Sequence, residues 1–483
     1  MDSQEDTTLH MLFFPFMAPG HMLPMLDIAK LFSARSARCT VLTTPANAAL
    51  IRSSLDRHAI QILVIPFPSV AAGLPDGCEN LYSVPSPELE PNFIKATGTL
   101  REPFRRVLDE LLPDCVVTDM FLPWAYHAAD ELDVPTLMFT GLSFFAHCCF
   151  DSMAHNDPLG SLPAGEESFA IPGLPHNIKM FKSQILNLAR DRPDILEVIV
   201  MSKEVERRCY GMVMNTFYEL EPDYSKHYRE VVGGRAWHLG PVSLCNSDAT
   251  EKSSRGNSVS DGYESCLSWL DTKSPGSVVY VCFGSGCHFS TAQLREIALG
   301  LEAAKHPFIW VVRPRGEGEE EESWMPEGYE ERIAGEGLVL RGWAPQIAIL
   351  SHGSVGGFVT HCGWNSTLEG VSAGLPLATW PQFADQFFNE RLIVDVLRVG
   401  VAVGVRSMAA KHEERELVGA AGVQRAVRRL MGSGDDGEER RHRARELGRM
   451  AKEAVGSGGS SRFDLDSLVH ELKERRIGKM ILK

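Results

Sequence analysis

Two successive series of short apolar runs alternate with helical patterns along this chain, and this alternation limits the folds available to it. In the first half, the strand-like runs cover residues 11–16, 39–43, 62–67, 115–118, 136–139 and 212–215. In the second half, they cover residues 277–283, 308–312, 338–340, 357–360, 377–380 and 401–405. Such alternation is typical of parallel, doubly wound sheets. The sequence therefore predicts an α/β protein built from two Rossmann-like domains.

The length and the local composition indicate where the domains divide. A chain of 483 residues is long enough for two domains of roughly 200 residues each. The polar, Ser- and Gly-rich stretch 246–262 is the best candidate for a linker. We therefore expect an N-terminal domain over residues 1–245 and a C-terminal domain over residues 263–460. The last segment, 461–483, contains an amphipathic helical pattern over residues 463–477.

Charge and cysteine usage exclude several classes of partner. The chain has 48 basic and 63 acidic residues and a net charge of −15, which argues against a nucleic-acid partner or an anionic membrane surface. No apolar run reaches the ~18 residues of a membrane span, so we expect no stable membrane insertion. The acidic residues 1–6 do not resemble a signal peptide. Eleven cysteines without a C-x-x-C pair indicate reduced thiols and a cytoplasmic location.

Polar side chains are concentrated where one predicted strand of the second half leads into a helix. The strand over residues 357–360 ends at His361, and the following helix carries Asn365 and Ser366 in its first turn. A helix N-terminus after a glycine turn binds anions through its backbone N–H groups and its dipole. His361 and the Ser366 hydroxyl add donors for a diphosphate. Asn365 and Glu369 are four residues apart, so a carboxylate lies one turn away and suits ribose hydroxyls.

The residues on either side of this helix complete a set suited to a nucleotide sugar. Trp343 follows a strand and offers an indole that can stack on a planar base. Gln346 and the backbone around Ala344 offer both donors and acceptors, which suits an imide edge such as that of uracil. Asp385 and Gln386 follow another strand, where a carboxylate and an amide can bind the hydroxyls of a sugar.

A candidate acid–base pair lies in the first half of the chain. His21 follows the first strand, in the first strand-to-helix turn, and Asp119 follows the strand 115–118. Open α/β sheets bind their ligands at the carboxyl ends of such strands. An alcohol is a poor nucleophile at neutral pH, so a reaction that transfers a group to its oxygen needs a base. An imidazole titrates in the range that suits such a base. A carboxylate behind the imidazole fixes its tautomer and stabilises the imidazolium.

The run over residues 343–386 resembles the signature of plant family-1 UDP-glycosyltransferases. It matches at W-A-P-Q, L-S-H, G-G-F-V-T-H-C-G-W-N-S, the glutamate at 369, G-L-P, W-P and D-Q. Chain length and the N-terminal segment also match, so the resemblance covers nearly the whole chain. It implies a GT-B fold, a UDP-sugar donor and inversion at the anomeric carbon. Gln386 at the end of the run resembles the glucose-using members and implies UDP-glucose as co-substrate.

The resemblance also implies roles for individual residues. His21, in P-x-G-H, matches the family's base, and Asp119 matches its charge-relay partner. Ser285, in the loop after the strand 277–283, matches a serine that contacts the donor phosphates, and Trp364 belongs to the donor box. The final segment is expected to cross back onto the N-terminal domain. No cofactor and no metal are expected, and we predict a monomer.

The acceptor is the least constrained part of the prediction. The N-terminal segment most resembles the clade that acts on flavonoids, triterpenoids and steroids, which implies a small apolar acceptor bearing a hydroxyl. Candidate pocket residues are Phe121, Leu122, Phe144 and Phe387.

Three alternative functions follow from the same residues. The first is the same reaction with another UDP-sugar. The second is a UDP-sugar-binding protein without activity, although an intact His21 and Asp119 argue against it. The third is an NAD(P)-dependent oxidoreductase, which would need a G-x-G-x-x-G turn after the first strand; residues 18–21 do not supply it.

Overall fold

A computed structural model describes residues 8–256, 263–312, 324–409 and 415–481. These residues form two parallel β-sheets, one from each half of the chain, with helices on both faces of each sheet. The end of the predicted linker, 257–262, and the acidic stretch 316–322 lie outside the described residues. This arrangement is the α/β architecture that the sequence predicts.

The N-terminal sheet has seven strands in the order β3-β2-β1-β4-β5-β8-β9, and all neighbouring strands are parallel. Its strands are β1 His10–Phe14, β2 Arg38–Thr43, β3 Ile60–Val64, β4 Cys115–Asp119, β5 Thr136–Phe139, β8 Gly211–Met214 and β9 Ala236–His238. A separate antiparallel hairpin is formed by β6 Ser168–Ala170 and β7 Lys179–Phe181. The sequence did not predict β9 or the hairpin, because three-residue strands are too short to show a periodic pattern.

The C-terminal sheet has six strands in the order β12-β11-β10-β13-β14-β15, again all parallel. Its strands are β10 Val278–Cys282, β11 Phe308–Val312, β12 Gly337–Arg341, β13 Val355–Thr360, β14 Leu377–Thr379 and β15 Gly400–Ala402. The central strands are buried on both faces, which explains why they read as continuous apolar runs in the sequence.

Helices connect the strands and cover the sheets. In the N-terminal half they are α1 Pro19–Ser33, α2 Pro45–Leu55, α3 Glu90–Gly98, α4 Arg101–Leu111, α5 Pro123–Asp130, α6 Phe144–Asn156, α7 Leu188–Asp191, α8 Pro193–Arg208 and α9 Pro222–His227. In the remainder they are α10 Ala249–Ser254, α11 Tyr263–Asp271, α12 Thr291–Ala304, α13 Tyr329–Arg332, α14 Gln346–Leu350, α15 Trp364–Ser372, α16 Gln386–Arg391, α17 Ala420–Met431, α18 Asp435–Val455 and α19 Ser460–Ile481.

The strand order of each sheet creates one crevice at its carboxyl edge. In the N-terminal sheet the order reverses between β1 and β4, and in the C-terminal sheet it reverses between β10 and β13. Connections leave such a pair of strands toward opposite faces, which opens a crevice where ligands bind. His21 and Asp119 follow or end β1 and β4, whereas Ser285 and His361 follow β10 and β13. Both sets of predicted site residues therefore lie at these reversals.

The last helix packs against the N-terminal half of the molecule. Leu465, Leu468, Val469 and Leu472 are buried in the same core as β1 and helix α1. Their spacing places them on one face of a helix, as the amphipathic pattern indicates. Asp464 adds a polar contact, because it accepts hydrogen bonds from the backbone N–H and the ring Nδ1 of His238 in β9, at 2.9 and 2.8 Å.

The stretch that the sequence predicts as a linker is packed over its first part. Residues 249–254 form helix α10, and Asn246, Ser253 and Arg255 are buried. Asp248 caps the helix by accepting from the Glu251 N–H at 2.8 Å. A polar composition therefore marks a segment whose side chains are hydrogen-bonded between the two halves of the molecule.

The helices and the cysteines bear on two further expectations from the sequence. In the described ranges, no helix combines the length and the apolar character needed to cross a membrane. All eleven cysteines are free thiols, and most of them are buried. Burial raises the pKa of the Cys39 thiol to about 12, so such thiols are poor nucleophiles at neutral pH.

Candidate active site

His21 and Asp119 form a hydrogen-bonded pair at the reversal of the N-terminal sheet. β1 and β4 are neighbours, and His21 lies in the first turn of helix α1, which follows β1. The His21 Nδ1 lies 2.9 Å from the Asp119 Oδ2. The other carboxylate oxygen of Asp119 accepts from the backbone N–H of Phe121 at 3.0 Å. An ionised carboxylate only accepts hydrogen bonds, so this pairing assigns the proton to Nδ1 and the lone pair to Nε2.

The surroundings of this pair raise the basicity of the histidine. Burial disfavours the charged imidazolium, but the charge of Asp119 and its hydrogen bond overcome that effect, and Asp385 contributes in the same direction. The pKa of His21 is therefore raised above its ordinary value of 6.5. A base tuned in this direction holds an abstracted proton more firmly.

Apolar and small groups surround the imidazole of His21. The ring centroids of Phe16 and Phe121 lie 5.6 and 5.3 Å from that of His21, both edge-on. Gly141 has a φ of 72°, and a Cβ there would lie 3.5 Å from the His21 Cε1. Phe16 is buried, whereas Phe121 is partly exposed. Phe121 is therefore placed to contact an apolar molecule that approaches the imidazole.

In the C-terminal half, His361 lies between two glycines of different loops. A Cβ on Gly284 or on Gly363 would come within 2.5 Å of the His361 ring, so only glycine fits at these positions. Cys362 adopts a left-handed φ of 66° between β13 and α15, a strained conformation for a side-chain-bearing residue. Ser285 follows Gly284, so the phosphate-binding candidates Ser285 and His361 lie on adjacent loops.

The carboxylate of Glu369 is held on both of its oxygens. Gln346 Nε2 donates to Glu369 Oε2 at 2.7 Å and lies 3.1 Å from the Ser366 hydroxyl oxygen. Arg255 Nη1 donates to Glu369 Oε1 at 2.6 Å. Gln346, Ser366 and Glu369 therefore lie together, with the amide NH2 of Gln346 bound to both the hydroxyl and the carboxylate.

The indole of Trp343 lies beside the segment that joins the two halves. A Cβ on Gly256, whose φ is 95°, would come 2.5 Å from the Trp343 Cζ2 and 3.0 Å from the Leu23 Cδ1. Ala344 is buried, and its carbonyl accepts from the Gln346 N–H at 2.8 Å. The predicted base-binding residues thus form the end of the crevice nearest to residues 255–256.

Asp385 and Gln386 lie at the start of α16, close to the catalytic pair. Burial raises the pKa of Asp385 to about 6, an effect opposed by the hydrogen bond from Asn389 Nδ2 at 2.7 Å and by His21. The charges of His21 and Asp385 affect each other's pKa. A sugar-binding candidate of one half therefore lies near the candidate base of the other half. Gln386 Oε1 accepts from the N–H groups of Gln382 and Phe383 at 2.8 and 3.1 Å, so its amide NH2 is the group that can reach a sugar.

Asn365 and Trp364 contact the N-terminal half directly. Asn365 Nδ2 donates to the Gly20 carbonyl at 2.6 Å, and its Oδ1 accepts from Asn215 Nδ2 at 3.1 Å. The Trp364 indole N–H donates to the Asn215 carbonyl at 2.7 Å, and the ring is buried. For Trp364 this corrects the predicted donor contact, because the side chain faces the N-terminal sheet. What remains available to a donor is its main chain at the start of α15.

The predicted acceptor pocket needs a larger correction. Leu122, Phe144 and Phe387 have at most 1% exposed surface, so they present no surface to an acceptor. Phe144 packs on Tyr228 and His238, and Leu122 belongs to the core beneath helix α5. Apolar residues at helix starts are as suitable for a core as for a pocket, and the sequence could not separate the two. Of the four candidates, only Phe121 lies at the crevice.

Two residues that the sequence reading missed connect the halves at this site. Asn215, directly after β8, binds both Asn365 and Trp364, and Arg255 binds Glu369. Asn215 falls within a predicted strand end, where it could have been suspected as a site residue. Arg255 is a single arginine in a Ser-rich stretch, which carries no pattern of its own.

Within the part of the chain that the structure describes, no group of three or more His, Cys, Asp or Glu side chains is arranged to hold a metal ion. The charged groups of the crevice instead pair with one another, as His21 does with Asp119 and Glu369 with Arg255.

Comparison with known proteins identifies relatives along the whole chain. Residues 263–418 match the family described as UDP-glucoronosyl and UDP-glucosyl transferase. The chain is 45% identical to a scopoletin glucosyltransferase of Nicotiana tabacum, over 96% of this chain and 98% of the relative. It is 46% identical to a UDP-glucose flavonoid 3-O-glucosyltransferase of Fragaria ananassa, over 100% of this chain and 99% of the relative. The chain belongs to the UDP-glycosyltransferase family.

Solved structures of this UDP-glycosyltransferase family share the fold. A crystal structure of Glycyrrhiza uralensis UGT73P12, complexed with glycyrrhetinic acid 3-O-monoglucuronide, superposes with a TM-score of 0.91 at 39% identity, covering 98% of this chain and 97% of that chain. Phytolacca americana UGT2, complexed with UDP-2fluoro-glucose and pterostilbene, gives a TM-score of 0.77 at 26% identity, over 96% and 100% of the two chains. This UDP-glycosyltransferase therefore has the GT-B fold.

Proposed function

We propose that this enzyme is an inverting glucosyltransferase that moves glucose from UDP-glucose to a hydroxyl of a small apolar metabolite and yields a β-O-glucoside. The observation that carries the proposal is the His21–Asp119 pair, 2.9 Å apart, joined to the donor helix α15 through the Gly20–Asn365 hydrogen bond. A base and a diphosphate-binding helix thus meet across one crevice. The glucosyltransferase names of the Nicotiana and Fragaria relatives support glucose as the sugar.

The chemistry follows from the tautomer of His21. Nδ1–H donates to Asp119, so Nε2 accepts the proton of the acceptor hydroxyl as its oxygen attacks the anomeric carbon. The new carbon–oxygen bond forms on the face opposite the diphosphate, and the bond to UDP breaks with its electron pair on the departing phosphate oxygen. Asp119 stabilises the imidazolium. His361 and the N-terminus of α15 would stabilise the negative charge that develops on UDP.

The donor contacts divide along the crevice according to the chemistry of UDP-glucose. Trp343, Ala344 and Gln346 would bind uracil, and Glu369 would bind the ribose hydroxyls. Ser285, Asn365 and Ser366 would join His361 at the diphosphate, and Asp385 with the Gln386 amide would bind the glucose hydroxyls. We propose that the reaction needs no metal ion, because the N-terminus of α15 and the donors of His361, Ser285 and Ser366 would stabilise the charge of the diphosphate.

The acceptor class is proposed on narrower support. Relatives are named for scopoletin, flavonoid and anthocyanin glucosylation, and the Glycyrrhiza structure holds a glycyrrhetinic acid monoglucuronide. A flat or polycyclic apolar hydroxyl compound, of the flavonoid, triterpenoid or steroid type, suits the partly exposed ring of Phe121, which lies edge-on to His21. We also propose that the enzyme acts as a monomer in the cytosol, where its free thiols stay reduced.

The test is a transfer assay with a panel of aglycones and UDP-glucose, UDP-galactose and UDP-glucuronate, read by mass spectrometry, with and without EDTA. The expected result is a hexosylated product with UDP-glucose, a β-anomer by proton NMR, and no effect of EDTA. A preference for UDP-galactose or UDP-glucuronate would show that the enzyme uses that donor instead of UDP-glucose. UDP binding without any product would leave a UDP-sugar-binding protein and refute the enzyme mechanism.

A further inference from the structure

Arg255 lies buried between carboxylates from both halves of the molecule. Its Nε donates to Asp27 Oδ2 at 2.8 Å, and its Nη1 donates to Glu369 Oε1 at 2.6 Å. The Arg255 side chain is 8% exposed, and the carboxylates of Asp27 and Glu369 are 1% and 5% exposed. Ion pairs this deeply buried hold their geometry firmly, because a lone buried charge is costly.

The charges around Arg255 are balanced within the cluster. Lys30 Nζ lies 3.6 Å from Asp27 Oδ1 and donates to Asn246 Oδ1 at 2.7 Å. Asn246 Nδ2 in turn donates to Asp27 Oδ1 at 2.9 Å. Two cations therefore face two carboxylates, and both oxygens of Asp27 are held. A network satisfied in this way is more rigid than a single pair.

The cluster connects the two helices that carry the site. Helix α1 contains His21 and Asp27, and helix α15 contains Asn365 and Glu369. The first bridge between these helices is the bond from Asn365 to the Gly20 carbonyl. Arg255 forms the second, two turns further along α1, between Asp27 and Glu369. The base and the carboxylate predicted to bind ribose are thus parts of one braced pair of helices.

The residue after Arg255 extends this contact to the predicted base-stacking position. Gly256 has a left-handed φ of 95°, and a Cβ there would clash with the Trp343 indole and approach Leu23 of α1. Residues 255 and 256, in the segment that joins the two halves, therefore contact Glu369 and Trp343, which are two of the predicted nucleoside contacts.

We propose that Arg255 is a positioning residue of the donor site, which fixes the Glu369 carboxylate for the ribose hydroxyls of the UDP-sugar. This inference rests on the proposed function. Each carboxylate oxygen accepts more than one hydrogen bond. With Oε1 on Arg255 and Oε2 on Gln346, the carboxylate is fixed in one rotamer and still has lone pairs for two vicinal hydroxyls. Free Glu369 would sample several rotamers and would bind the diol less well.

The experiment compares UDP with 2′,3′-dideoxy-UDP, which lacks both ribose hydroxyls, by calorimetric titration. In the wild type, UDP is expected to bind about 10- to 100-fold more tightly than the dideoxy compound, as expected for hydrogen bonds to a charged group. In Arg255→Met, UDP is expected to bind at most about threefold more tightly than dideoxy-UDP, because UDP binding weakens while dideoxy-UDP binding does not. Arg255→Lys, which keeps the charge, restores part of the ratio. The KM for UDP-glucose rises with the Kd, and the acceptor KM is unchanged.

A matched control is an arginine that pairs with a carboxylate of the same segment. Arg57 pairs with Asp248 next to α10 at 3.0 Å, but both side chains are more than half exposed. Surface pairs of this kind contribute little, so Arg57→Met is expected to keep the wild-type ratio. If Arg255→Met fails to fold by circular dichroism, the double variant Asp27→Asn/Arg255→Met replaces it, because it removes one charge of each sign. The same collapse of the ratio is expected there.

Two results would overturn the inference. A wild-type ratio in a folded Arg255→Met or in the double variant would show that Glu369 does not need Arg255. Tighter UDP binding in either variant would show that Arg255 competes with the ribose for Glu369. A wild-type protein that fails to bind UDP would instead refute the proposed function itself.

Discussion

The two halves of the crevice differ in how their polar groups are held. In the C-terminal half, Gln346, Ser366 and Glu369 contact one another within one strand–turn–helix unit and its neighbouring helix. In the N-terminal half, the hydrogen-bonded pair of His21 and Asp119 lies beside the aromatic rings of Phe16 and Phe121. The first arrangement suits a ligand rich in hydroxyls and phosphates, and the second suits proton transfer beside an apolar molecule.

This difference supports the proposal that donor binding and proton transfer use separate halves of the molecule, which meet at α1 and α15. A change in the N-terminal pair should therefore affect turnover, and a change in the C-terminal network should affect donor affinity. Four substitutions test that division, and the replacement of the base is expected to change activity most.

Replacing the base should have the largest effect on turnover. In His21→Ala no group accepts the hydroxyl proton, so kcat is expected to fall by about 10²- to 10⁴-fold. Initial rates with saturating UDP-glucose and acceptor measure it. His155→Ala is the control, because His155 is exposed on α6 and should leave kcat unchanged. Equal loss in both variants would contradict the assignment of the base.

Removing the carboxylate charge should lower turnover and shift its pH dependence. The base must be neutral to act, so activity rises with pH through the pKa of His21, which Asp119 holds above 6.5. In Asp119→Asn the imidazolium loses that support and the pKa falls. The acidic limb of the kcat/KM profile therefore moves to lower pH, while the plateau falls by about 100-fold or more. A limb that stays in place or moves to higher pH would contradict the pairing.

Removing the indole should weaken donor binding and change turnover little. Trp343→Ala is expected to raise the Kd for UDP about tenfold, the effect of losing one stacked base. Trp269→Ala is the control. Trp269 precedes Leu270, whose carbonyl accepts a hydrogen bond from Ser354 at the opposite end of the C-terminal sheet. The Kd of Trp269→Ala for UDP should therefore match that of the wild type. An unchanged Kd in Trp343→Ala would show that uracil binds elsewhere.

The smallest effect is expected at the acceptor. Phe121→Leu loses an aromatic face next to His21, and the acceptor KM should rise about two- to tenfold with no change in the KM for UDP-glucose. Phe463→Leu, at a position 71% exposed on α19, serves as the comparison. A rise in the KM for UDP-glucose instead would show that Phe121 contacts the donor and not the acceptor.

The sequence allowed the donor residues and the catalytic pair to be predicted for different physical reasons. His361, Ser366 and Glu369 lie within one strand–turn–helix unit, so local spacing fixes their arrangement. His21 and Asp119 meet only because β1 and β4 are neighbours in a doubly wound sheet, which the general topology of such sheets implies.

The acceptor pocket and the contacts between the halves could not be predicted in the same way. Leu122 and Phe144 are apolar residues near strand ends, as Phe121 is, and only tertiary packing decides which of them is exposed. Arg255 is a lone arginine in a polar stretch, and its two carboxylate partners, Asp27 and Glu369, are distant in the sequence. No local sequence pattern therefore indicates that a polar residue is buried against partners distant in the chain.

The division between binding and chemistry is tested most directly by titrating UDP into the His21→Ala variant. His21 contacts Asp119 and lies near Asp385, and the proposed nucleotide contacts are in the other half. The Kd is therefore predicted to stay within about twofold of the wild-type value. A tenfold or greater weakening of UDP binding would show that the base also holds the donor nucleotide, and would contradict the division.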